Sequence, residues 1–404
     1  MVNIAVLGYG TVGSGVVEVI NTNHDTVNSN AGVEINIKYV LDLRDFPGDP
    51  VEKILVHDYE SILNDDSVDI VVEVMGGLEP AFTFVSKALS KGKSVCSSNK
   101  ELVANKGPEL LKIARDNNAN FLFEASCGGG IPIIRPLNSS LTADDIMEIS
   151  GILNGTTNYI LTKMSDEGWD FEKALKKAQE CGYAERNPEA DIEGYDACRK
   201  IAILSSIAYG KTLNYEDIYT EGIKEITTDD IDYAKKLGYA IKLVASSERS
   251  GKDIYAKVCP MMVGRDNPLF FVNDVFNGIF VKGNMLGDAM FYGSGAGKLP
   301  TASAVVGDVV EAAKNIGKTI PVRWGEGKLE LSERGSEEGR FFVRAKGAGE
   351  AKKAEINKLF GQVEFVNAGK DLETAFVTER MTEKDFEASY ERLEDKITRI
   401  VIKS

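Results

Sequence analysis

The sequence predicts an α/β protein: a doubly wound parallel sheet, then an α+β unit, then a small β-α-β-β-α-β end. Three observations carry this. Short apolar runs alternate with amphipathic helical stretches over residues 1–135. From about residue 140 the runs become longer and are joined by turn signals, and beyond the Gly-rich polar stretch 317–340 the order of elements is that of a ferredoxin-like unit.

In the first part, "NIAVL" (3–7), "INIKYVL" (35–41), "VDIVVEV" (68–74), "KSVCSS" (93–98) and "ANFLFEA" (119–125) read as strands. Helices such as "GPELLKIARDN" fall between them, as a parallel sheet requires. Residues 136–316 read as a substrate domain. It starts with the strand "DIMEISGIL", continues through the helical "NGTTNYILTKM" and "FEKALKKAQECG", and reaches a helix at about 195–210. The strand-like "YAIKLVASSERSGKDIYAKVCPMMV" and "DVFNGIFVKGNMLGDAMFYG" then imply a mixed, largely antiparallel sheet. The helix at 301–316 is expected to pack back on the first domain, 317–340 to be a linker, and 341–404 to form the small third domain.

The chain has 404 residues, enough for roughly two or three domains. A formal charge of -15 repels nucleic-acid phosphates and anionic membranes, so neither is an expected partner. No apolar run approaches the roughly 18 residues of a membrane span, and the first residues lead straight into a strand; a cytoplasmic protein is expected. The five cysteines show no CxxC spacing, so neither a disulfide framework nor a zinc site is indicated. The two histidines, His24 and His57, stand in polar surroundings, and proton transfer is expected to fall to other residues.

"VLGYGTVGSG" places Gly8, Gly10 and Gly13 in G-x-G-x-x-G spacing between a strand and a helix. The first glycine turns the chain, the second admits a pyrophosphate, and the third lets helix and strand pack. Helix N–H groups face the anion. A Rossmann-type dinucleotide domain follows, with Tyr9, Thr11 and Val12 completing the loop. At the end of the second strand Asp42 suits the ribose hydroxyls of NAD, whereas Arg44 suits the 2'-phosphate of NADP. The two signals conflict, and two solvated loop charges are the plain alternative.

The stretch "GYAERNPEADIEGYDACRK" (182–200) puts five carboxylates and three basic residues directly before "IAILSSIA", a helix apolar or small on every side. Asp196 and Lys200 lie four apart on one helical face, against core. Burial disfavours an ammonium and adjacent carboxylates favour it, so such a lysine can be poised to donate a proton while Asp196 fixes its position. Glu185 is then available for a substrate ammonium. Glu189, Glu193, Arg186 and Arg199 read as a solvated face.

The spacing of Ala178, Gly182, Tyr183, Ala184, Asn187, Pro188, Asp191, Ile192, Gly194, Asp196 and Lys200 resembles the signature of homoserine dehydrogenases. The likeness extends through "SSNKELVA" (97–104), "EASCGGGIPII" (124–134), "GILNGTT" (151–157) and "GSGAGKLPTASAVVGD" (293–308), covering about 1–316. It implies NAD- or NADP-dependent interconversion of L-homoserine and L-aspartate 4-semialdehyde in threonine, methionine and isoleucine biosynthesis, and a homodimer or higher homo-oligomer. It also implies that Lys200 is the proton donor, that Asp196, Asp191 and Glu185 serve the amino-acid substrate, and that Lys100 reaches both cofactor and substrate. Gly76, Gly182 and Gly297 join the cofactor set by the same resemblance. A structural sodium is implied at Glu124 and the carbonyls of Cys127, Gly129 and Ile131, a run that composition alone reads as a glycine hinge.

The end of the chain resembles an ACT regulatory domain in element order, but "GAGEAKKAE" replaces the usual Pro-Gly opening of its first helix, so threonine feedback does not follow. Two rivals remain in view. One is a phosphorylating semialdehyde dehydrogenase using Cys127, which has no histidine nearby in sequence to activate it; the other is a non-enzymatic sensor binding a dinucleotide and an amino acid.

Overall fold

The computed structural model describes residues 1–367, 369–370 and 372–403. The chain divides into two compact units. The first comprises Met1–Asp145, Ala202–Tyr215 and Phe291–Leu329; the second comprises Ile146–Ile201, Glu216–Met290 and the chain from Glu330 onward.

Six parallel strands form the sheet of the first unit: β1 (Val2–Leu7), β2 (Ile35–Leu41), β3 (Leu55–Val56), β4 (Ile70–Glu73), β5 (Ser94–Ser97) and β6 (Phe121–Leu122). Their order, β3-β2-β1-β4-β5-β6, is that of a doubly wound dinucleotide fold, and it reverses between β1 and β4. Val, Ile and Leu fill these strands because both faces are covered. Ile4, Val6, Ile70 and Val72 share one core with Val16 and Ile20 of helix Thr11–Thr22. Helix Lys298–Lys314 closes that core with Ala302, Val305, Val309 and Ala312, a stripe at helical spacing.

Two expectations here need correction. The strand expected at 119–125 is reduced to Phe121–Leu122, because from Glu124 the chain turns into a short 3-10 segment. The linker expected at 317–340 is packed instead: Trp324–Lys328 pairs in parallel with Gly210–Thr212, and Trp324 is 3% exposed. Its indole Nε1 donates to Thr212 Oγ1 at 3.0 Å. The ring lies where a Cβ on Gly107 would approach within 2.9 Å, so only glycine admits it. One buried indole outweighs the polar, Gly-rich residues around it, which an averaged composition conceals.

In the second unit β7 (Ile146–Ile152), β8 (Tyr239–Ser250), β9 (Asp253–Gly264) and β10 (Phe276–Gly283) pair antiparallel, as the turn signals predict. The tail supplies β11 (Glu338–Lys346), β12 (Val363–Val366), β13 (Glu373–Thr378) and β14 (Lys396–Lys403). Within their sheet these eight strands run β10-β7-β8-β9-β14-β11-β13-β12, with Gly287–Ser294 flanking β10. With helices Glu350–Phe360 and Glu383–Arg392, the tail has the expected β-α-β-β-α-β order; that order defines a ferredoxin-like arrangement without selecting an ACT domain.

The separate third domain read at 341–404 is also corrected: β14 pairs in parallel with β9, with Met261 opposite Val401 and Val263 opposite Lys403, so one sheet runs through both parts. Val244, Cys259 and Met261 share a core with Phe341, Val343, Phe376 and Phe386. Arg344 of β11, almost fully buried, reaches Asp230 at 2.6 Å and Glu373 at 2.8 Å. Lys403 bridges Glu148 at 2.8 Å and Glu248 at 2.5 Å. Removing either member of the buried Arg344–Asp230 pair leaves a charge uncompensated, which costs about 3–5 kcal/mol. No helix among the described residues is long and apolar enough to cross a membrane.

Candidate active site

The glycine loop follows β1 at the reversal point of the strand order, where parallel sheets bind ligands. Gly8 has φ +98°, and a Cβ at Gly13 would come within 1.9 Å of the Gly8 carbonyl oxygen. That overlap explains the third glycine: helix Thr11–Thr22 starts directly against the turn, so its amides face the loop.

Asp42 and Arg44 do not offer themselves separately. Asp42 Oδ2 accepts from Tyr9 N at 2.8 Å and Arg44 Nη2 at 3.0 Å; its Oδ1 accepts from Arg44 N at 3.0 Å and Nε at 2.9 Å. A carboxylate has about four lone-pair positions, and four donors fill them. The Arg44 guanidinium, ahead of the backbone amides, holds the Asp42 carboxyl far below the usual range. Arg44 itself remains 62% exposed, its guanidinium 5.1 Å from the Phe46 ring centroid.

Next to β1, the end of β4 is organised by Glu73, which the sequence reading missed. Its Oε1 accepts from Met75 N at 2.9 Å and Gly76 N at 3.4 Å, and its Oε2 from Ser97 Oγ at 2.6 Å. Burial pushes this carboxyl up while the hydrogen bonds oppose the shift. Asn99 donates to the Gly77 carbonyl at 2.6 Å and caps helix Lys100–Asp116 by accepting from Leu102 N at 3.0 Å. Lys100 is thus the first residue of a helix whose start is tied to the Gly76–Gly77 turn. An acidic residue closing an apolar strand, "VVEVMGG", was the available signal. Gly297, with φ +119°, stands at the N-cap of helix Lys298–Lys314.

Glu124 Oε1 accepts from Ile133 N at 2.6 Å and Ile134 N at 2.7 Å, and Oε2 from Arg135 N at 2.7 Å. Three of about four acceptor positions are thereby filled, leaving about one for a cation. Cys127, Gly129 and Ile131 occupy the intervening turn, with Gly129 at φ +56°. Among the described residues no group of three or more His, Cys, Asp or Glu side chains could hold a metal, so any ion here rests on carbonyl oxygens and one carboxylate. Cys127 is fully buried, poorly suited to nucleophilic attack.

In the second unit the charged stretch resolves into two parts. Glu185 and Gly182 lie on an exposed loop; Glu185 contributes its carbonyl to Gln179 Nε2 at 3.1 Å, and Gly182 closes helix Phe171–Glu180 with φ +74°. Asp196 and Lys200 are 3% and 8% exposed on helix Tyr195–Tyr209. Lys200 Nζ donates to Asp196 Oδ2 at 2.7 Å and to the Leu153 carbonyl at 2.8 Å. Asp191 joins them through Asn154, whose Nδ2 donates to Asp191 Oδ1 at 2.8 Å and Asp196 Oδ2 at 2.9 Å. Asn154 was not singled out from sequence, though it stands in "GILNGTT", where it reads only as a helix cap.

A dinucleotide loop in one unit and, in the other, a buried ammonium held by a carboxylate are the equipment of a nicotinamide-dependent oxidoreductase acting on a carbonyl or alcohol. Comparison with known proteins narrows this class. The homoserine dehydrogenase family model matches residues 132–310, and the model of that family's NAD-binding domain matches 8–124. The homoserine dehydrogenase of Synechocystis is 46% identical over 316 residues, covering 76% of this chain and 72% of that protein; the Bacillus subtilis enzyme is 41% identical over 319 residues, covering 78% and 73%. The crystal structure of a homoserine dehydrogenase from Thiobacillus denitrificans superposes with a TM-score of 0.92 at 33% identity, over 100% of this chain and 98% of that one. A hyperthermophilic archaeal homoserine dehydrogenase in complex with NADPH gives a TM-score of 0.66 at 31% identity, over 77% and 97%. The chain belongs to the homoserine dehydrogenase family. Its activity is that of an oxidoreductase interconverting L-homoserine and L-aspartate 4-semialdehyde.

Proposed function

We propose that Lys200 is the proton donor to the aldehyde oxygen in the reducing direction and the acceptor of the alcohol proton in the oxidising one. The buried Lys200–Asp196 contact of 2.7 Å carries this reading. When bound, the nicotinamide supplies or takes the hydride. As the carbonyl oxygen gains negative charge, a fixed cation with a transferable proton stabilises it more than the ground state. Asp196 and the Leu153 carbonyl hold Nζ in place. Asp191 and Glu185 receive the substrate ammonium, and Lys100, the first residue of helix Lys100–Asp116, serves substrate and cofactor. If Asp196 orients the donor, Asp196→Asn lowers kcat on the order of tenfold to a hundredfold while KM for homoserine changes less. Steady-state kinetics check this; an unchanged kcat removes the role.

We also propose NADP as the preferred cofactor. Asp42 has its acceptor positions filled within the chain, so a ribose hydroxyl finds none, whereas the exposed Arg44 is oriented and free of net repulsion toward a 2'-phosphate. Comparing KM for NADP and NAD tests this. For the Glu124 turn we propose a structural sodium ion: melting in sodium chloride is expected to give a higher Tm than in choline chloride at equal ionic strength, and equal values reject it.

A further inference from the structure

We propose that Asn154 is a positioning residue that holds the Lys200–Asp196 pair and couples it to Asp191; this rests on the reading of Lys200 as proton donor. Asn154 stands where β7 gives way to helix Gly155–Glu167. As the N-cap its Oδ1 accepts from Thr157 N at 2.9 Å and Thr157 Oγ1 at 3.2 Å. Capping requires only that oxygen, and Ser, Thr or Asp would provide one equally well. The amide nitrogen is therefore surplus to the cap.

That nitrogen carries two hydrogens, and each meets a carboxylate, one on Asp191 and one on Asp196. Asp196 Oδ2, its acceptor, is the same oxygen that receives Lys200 Nζ. The residue before it, Leu153, gives its carbonyl to the same Nζ. Two consecutive residues thus hold both members of the ion pair, one through the backbone and one through a side chain. Every contact lies within the second unit.

The electrostatics explain why asparagine fits this cap. The Asn154 amide nitrogen meets two carboxylates, Asp191 and Asp196, and the second of these also receives Lys200. An aspartate cap would add a third carboxylate beside a buried lysine and raise its affinity for the proton. A serine cap would leave both carboxylates without their shared donor. Asparagine alone among the usual caps accepts for the helix and donates to both acids without adding charge. By donating to Asp196 Oδ2 it fixes the oxygen against which the Lys200 ammonium is held.

The test uses Asn154→Asp and Asn154→Ser in the full-length protein, since both keep a capping oxygen. For Asn154→Asp the limb of the kcat–pH profile belonging to Lys200 in homoserine oxidation is expected to move upward by about one pH unit. Below the limb, where the amine form is required, the rate falls about tenfold. Asn154→Ser is expected to lower kcat about tenfold with a smaller displacement of the limb. Tm reports the cap separately. A limb at the wild-type position in Asn154→Asp, whether or not Tm falls, reduces Asn154 to a helix cap and overturns the proposal. A Lys200→Ala protein that keeps its turnover would instead reject the proton-donor reading, so the two failures are distinguishable.

Discussion

Lys200→Ala is expected to lose on the order of 10²–10⁴ in kcat, the usual contribution of a positioned proton-transfer group. The loss should appear in kcat more than in KM, because the ammonium acts where charge develops on the substrate oxygen and not on the resting carbonyl. The substitution also leaves Asp196, almost fully buried, without its cation, so a lower Tm is expected as well. Lys200→Gln, which keeps length and a hydrogen-bond donor, separates the two effects: it should restore part of the Tm and none of the turnover. Cys127→Ser, made in parallel, is expected to leave kcat within about twofold, because its buried sulfur has no step to perform. Turnover lost in Cys127→Ser and kept in Lys200→Ala would invert the assignment.

Arg44→Ala is expected to raise KM for NADP by roughly tenfold to a hundredfold and to leave NAD nearly unchanged. A charge-assisted hydrogen bond to phosphate contributes about 1.5–3 kcal/mol, and Arg44 is the cation presented beside Asp42. The variant also releases the two acceptor contacts on Asp42 that the Arg44 side chain occupies, while the Arg44 backbone N–H stays on Oδ1, so part of the carboxylate becomes available to ribose hydroxyls. Kinetics with both cofactors read the ratio directly. If KM for NADP does not change, the 2'-phosphate is recognised elsewhere and the NADP preference loses its basis.

Some of this was legible without coordinates for definite reasons. The G-x-G-x-x-G loop can be read because its constraint is local: the overlap between a Gly13 Cβ and the Gly8 carbonyl arises within six residues. Asp196 and Lys200 are legible because helical spacing places them on one face, and the apolar helix after them announces burial. Glu73 and Asn154 escaped notice for the opposite reason. Their partners, Ser97 in one case and Asp191 and Asp196 in the other, are 24, 37 and 42 residues away, and each residue also has a sufficient local reading as a strand end or a cap.

By itself, then, the sequence determined the alternation that makes a parallel sheet, the phosphate loop and the lysine–aspartate pair, because each depends on neighbours within a few turns of chain. Tertiary structure alone decided the rest. It brought the Tyr9 amide onto Asp42, it buried Trp324 in what composition reads as a linker, and it ran β14 alongside β9 so that the tail shares a sheet and a core with the rest of the second unit. Backbone pairing and buried charge are satisfied by whichever partner folding brings near, and sequence distance carries no record of that partner.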